Sequence, residues 1–68
     1  MFAPQVEDIA PSENLRALVR ERLSPSPIDV DELIRQTDAT PEEVLAVLLE
    51  LELAGVAVRQ AGRRVALA

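Results

Sequence analysis

Apolar positions follow a helical period over most of this chain and a strand period at its end. Between Glu13 and Leu23, the residues Leu15, Leu18, Val19 and Leu23 return every three to four positions and predict one amphipathic helix. Ser12, after Pro11, stands where an N-cap belongs. Ser24-Pro25-Ser26-Pro27 ends that helix, because proline and the residue before it disfavour helical backbone. Ile28 then fits a brief extended segment. Asp29 and Glu32 have the spacing of a capping box ahead of a second helix, Val30 to Thr37, with Leu33 and Ile34 inward. Asp38-Ala39 forms a tight turn, and two capped helices joined so closely are the helix-turn-helix pattern.

The third helix, Pro41 to Ala54, has both ends written locally. Thr40 and Glu43 form a capping box, Pro41 takes the first helical position, and Gly55 supplies the left-handed stop. Val44, Val47, Leu48, Leu51 and Ala54 fall on one side and predict the core face. Leu45, Leu49 and Leu53 recur at i, i+4 and i+8 on the other side, which they share with Glu42, Ala46, Glu50 and Glu52. Val56 and Val58 then alternate with Ala57 and Arg59, and Val65 and Leu67 alternate with Arg64, Ala66 and Ala68, about the turn Ala61-Gly62. Helix, turn, longer helix, β-hairpin is the order of a winged helix. The expected class is therefore α+β: a three-helix helix-turn-helix core and a two-stranded β wing, with Ile28 available for a third short strand. The domain is expected over residues 12–68. Residues 1–11 lack periodicity, carry Pro4 and Pro11, and read as a disordered tail or interdomain linker of a larger protein.

Composition narrows the function. With 68 residues the chain forms one domain at most, and with no cysteine or histidine it has neither a disulfide nor a zinc staple. The core must be aliphatic, because Phe2 is the only aromatic residue. A net charge of −5 argues against a general nucleic-acid binder, although it permits a local basic patch. No apolar run approaches the roughly 18 residues of a membrane span, and the first ten residues lack a secretory pattern, so a cytoplasmic location is expected. Catalysis finds no support. There is no His, Cys, Tyr or Lys and no glycine-rich phosphate loop. Ser12, Ser24 and Ser26 sit at a cap or a proline turn, and the adjacent Glu42 and Glu43 point in different directions on a helix. No catalytic residue, metal ligand, cofactor or small-molecule ligand is expected.

Two surfaces stand out. Arg59, Arg63 and Arg64 bring three of the seven arginines to the wing, where they are candidates for nucleic-acid contact. Their alternative is a solvated hairpin face paired with Glu50 or Glu52. Leu45, Leu49 and Leu53, with Glu42, Glu50 and Glu52 around them, are candidates for protein docking, and the carboxylates would steer a basic partner. In the alternative, Leu49 and Leu53 tuck under the first helix or the wing, leaving Leu45 the most exposed.

VDELIRQT (30–37), PEEVLAVLLELELAG (41–55) and the wing ending in RVALA (64–68) together resemble the C-terminal winged-helix domain of the bacterial DNA-processing protein A (DprA/Smf) family, with Leu48 to Gly55 the most distinctive part. The resemblance spans roughly residues 12–68. It implies a parent with a Rossmann-like central domain that binds single-stranded DNA and loads a recombinase during natural transformation. This chain would then be the accessory module, and its partner the parent's own central domain or another recombination protein. The family's main DNA-binding residues lie in that other domain, so none carries over here. The rival reading is the DNA-binding domain of a transcriptional regulator. A base-reading helix would present Arg, Lys, Asn or Gln, and none occurs between Pro41 and Ala54.

Overall fold

A computed structural model describes residues 13–68, and the tail expected at 1–11 and the Ser12 cap lie outside them. The elements are α1 (Glu13–Arg22), β1 (Ile28–Asp29), α2 (Val30–Thr37), α3 (Pro41–Leu53), β2 (Ala57–Gln60) and β3 (Arg64–Leu67). The fold is a winged helix: three helices and a three-stranded antiparallel sheet in the order β1-β3-β2. Ile28 pairs with Val65, so the brief extended segment becomes the third strand and β3 becomes the central one. No helix among the described residues is long and apolar enough to cross a membrane.

Local chemistry sets the helix ends. Thr40 Oγ1 accepts the Glu43 amide at 3.2 Å and the Glu43 carboxylate accepts the Thr40 amide at 3.1 Å, closing the expected box. Gly55, at φ 77°, ends α3 in a Schellman turn, with Val56 N–H donating to the Leu51 carbonyl at 2.8 Å and Gly55 N–H to that of Glu52 at 3.1 Å. The box expected for α2 does not close. Asp29 caps that helix by accepting the Asp31 amide at 3.0 Å. Glu32 turns forward instead and accepts from Arg35 and Gln36, where charge assistance outweighs a neutral amide.

The core is one aliphatic cluster: Leu15, Val19 and Leu23 from the first helix and its exit, Val30 and Leu33 from α2, Val44, Val47 and Leu48 from α3, and Ala57 and Val65 from the sheet. Full burial of a leucine such as Leu33 or Leu48 stabilises by about 1.5–3 kcal/mol, so a few contacts hold this small domain. Three expected positions differ. Ala54 is exposed, because it is the cap of α3 and no longer part of its face. Val58 is exposed while Ala57 is buried, because the helix stop consumes Val56 and the strand starts one residue later in the opposite phase. Ala66 is buried on the central strand opposite Val58.

Candidate interaction surface

The outward face of α3 carries the row Leu45, Leu49 and Leu53, exposed by 38%, 53% and 81%. All three remain uncovered, so the tucked alternative does not hold for Leu49 or Leu53. Leu45 is the least exposed, opposite to the sequence expectation. The cause is geometric: four residues turn an α-helix through about 40° more than a full circle, so each leucine sits farther from the core side than the one before.

Two of the three acids near the row are already engaged. Arg16 on α1 grips Glu50 with both arms of its guanidinium, Nε to Oε1 at 2.8 Å and Nη2 to Oε2 at 3.2 Å, and also reaches Glu13 at 3.5 Å. Hydrogen bonds from Arg16 hold the Glu50 carboxyl below its ordinary pKa, with desolvation opposing and the guanidinium charge adding to the shift. On the other flank Arg59 Nε lies 2.5 Å from Glu52 Oε2 and forms an ion pair with it. Glu42 forms no ion pair among the described residues and remains the free carboxylate of the set. The row is thus bordered by two neutralised pairs and carries a net acid only at the N-terminal end of the helix.

The wing arginines are not equivalent. Arg59 is tied to Glu52. Arg63 stands at φ 59°, and its carbonyl accepts the Val30 amide at 2.8 Å while its Nη2 donates to Asp31 at 3.0 Å. Arg64 is exposed and has no ion-pair partner among the described residues. Glu50 therefore pairs with α1 and not with the wing. Arg16 and Asp31 escaped the sequence reading because each meets its partner across more than thirty residues, |i−j| 34 and 32, a distance at which no local pattern signals a pair.

A family model described as the DprA winged helix domain matches residues 3–63. The chain belongs to the DprA winged-helix family. No curated protein matches it. Within that family's fold, α3 is the helix that meets bases in DNA-reading winged helices. Here it offers leucine and carboxylate where a base edge needs Arg, Lys, Asn or Gln.

Proposed function

We propose that this chain is the accessory winged-helix module of a DprA-type DNA-processing protein, working in the cytoplasm, without catalysis of its own, in the handling of single-stranded DNA and the loading of a recombinase during natural transformation. It acts by protein docking through Leu45, Leu49 and Leu53, onto the parent's central domain or a recombination partner. The wing adds a weak nucleic-acid contact centred on Arg64. The observation that carries this reading is the face of α3: three leucines open to solvent and no cationic or amide side chain. Contiguous apolar surface on a small domain marks an interface, and the acidic balance of the chain repels a phosphate backbone.

The test is an amide-resolved NMR titration with short single- and double-stranded DNA at low salt, followed by the parent's central domain. The expected result is weak shifts confined to Arg59–Val65 with DNA and shifts along α3 with the protein. Strong, sequence-dependent shifts on α3 with duplex DNA would sink the docking reading.

A further inference from the structure

We propose that residues 1–12 of this chain dock on a hollow between α1 and α3, with the Phe2 ring seated over Ala17 and Leu51 beside the side chains of Arg16 and Arg20. The proposal goes beyond the docking reading and does not depend on it, because no leucine of the outward row lines the hollow. The hollow measures about 230 Å³ and is walled by Glu13, Arg16, Ala17, Arg20, Glu50 and Leu51. Ala17 is exposed and Leu51 half-buried, so together they leave an apolar floor uncovered by the described residues. Guanidinium groups beside that floor suit the face of an aromatic ring. Phe2 is the only aromatic residue of the chain, and the described core is built from aliphatic side chains alone.

Reach and charge select this segment and this site. The segment is joined to Glu13, which itself walls the hollow. Ala17 stands one helical turn along α1, about 6 Å from that junction. The chain from Phe2 to Glu13 spans on the order of 40 Å when extended, so Phe2 reaches the hollow by folding back. Residues 1–12 hold two acids, Glu7 and Asp8, and no arginine. Around the hollow Arg16 already answers Glu13 and Glu50, whereas Arg20 has no ion pair among the described residues. Arg20 is thus the cation left to meet the two acids. The other apolar surfaces near α1 and α3 have the wrong sign. A second hollow, floored by Leu15, Leu18 and Ala39, carries Asp38 and Glu43 on its walls, and the leucine row ends at Glu42. Both repel an acidic segment. The family match takes in residues 3–12, which supports counting them as a working part of the module. Docked there, the segment fixes the direction from which the chain enters α1 and leaves the leucine row open to a partner.

The experiment is proton NMR on the full chain, where the ring of Phe2 supplies the only aromatic carbon-bound protons. The expected result is nuclear Overhauser contacts from that ring to the methyl groups of Ala17 and Leu51. Both methyls move upfield through the ring current, and dilution leaves the shift unchanged because the contact lies within one chain. Phe2→Ala abolishes the shift. Arg20→Glu removes most of it, and added salt weakens it by screening the charges. Arg20 is exposed and outside the core, so the amide spectrum of α2 and the wing stays as it was in that variant. A ring without contacts overturns the proposal, as do ring contacts to Leu15 and Leu18 or to the leucine row. A methyl shift that vanishes on dilution, or one indifferent to Arg20→Glu, overturns it equally.

Discussion

At Arg63 two opposing effects meet in one residue. Its left-handed backbone, φ 59°, costs a residue with a Cβ about 1–2 kcal/mol. The guanidinium returns an exposed ion pair with Asp31, worth about 0–1 kcal/mol. Glycine at this position relieves the strain and loses the pair, so Arg63→Gly changes stability by less than about 1 kcal/mol in a urea melt. Arg63→Val loses the pair and keeps the strain on a β-branched residue, and it costs about 1–3 kcal/mol. The backbone bond from Val30 to the Arg63 carbonyl persists in both, which isolates the side chain and the φ angle as the causes. Leu48 and Leu49 give the companion contrast. They are neighbours in sequence, yet Leu48 is fully buried and Leu49 is 53% exposed. Leu48→Ala is expected to cost about 2–5 kcal/mol, enough to unfold much of so small a domain, while Leu49→Ala changes stability by about 0.5 kcal/mol or less.

At the scale of elements, caps and one inter-helix clamp hold the helices in place. Thr40→Ala removes the hydroxyl that accepts the Glu43 amide and is expected to cost about 1 kcal/mol, read as a lowered denaturation midpoint. The Arg16–Glu50 fork joins α1 to α3 and lowers the Glu50 pKa relative to the unfolded chain. A carboxyl with a depressed folded pKa contributes stability that is complete above its unfolded pKa and is lost as pH falls through the folded value. Glu32 behaves alike within α2, chiefly because Arg35 hydrogen-bonds it. Carboxyl NMR titration should therefore place Glu50 and Glu32 below the ordinary value of about 4.3. Arg16→Ala should return Glu50 to that value and leave Glu32 unmoved, and a Glu50 titration indifferent to Arg16→Ala would remove the clamp from the account.

Over the whole molecule, the positive charge of the wing is largely spent internally. Arg59 and Arg63 answer acids on α3 and α2, which leaves Arg64 as the free cation of the wing among the described residues. The double change Asp31→Asn with Glu52→Gln releases both arginines without altering the wing's own sequence. It is expected to raise affinity for single-stranded DNA and to steepen the salt dependence by about 0.7 per arginine freed. An unchanged salt slope in that variant would show that the wing makes no phosphate contact.

The short-range features of this protein were legible in its sequence. The Thr40–Glu43 box, Pro41, the Gly55 stop and the periodic core positions depend on residues within one or two helical turns, so a local pattern carries them. The DprA winged-helix resemblance drew on the same stretch, and the family match agrees with it. Val58 and Ala57 exchanged places because the strand's phase is set by how the helix stop delivers the chain to the sheet. The exposure order along Leu45, Leu49 and Leu53 depends on where the core lies around α3, and sequence spacing does not state that direction. The fates of Glu50, Arg59 and Arg63 were settled by partners on other elements, brought near by packing. Local periodicity therefore determined the elements and the identity of the outward row, whereas only the tertiary arrangement decided which charges beside that row are free, because ion pairing depends on distance in space.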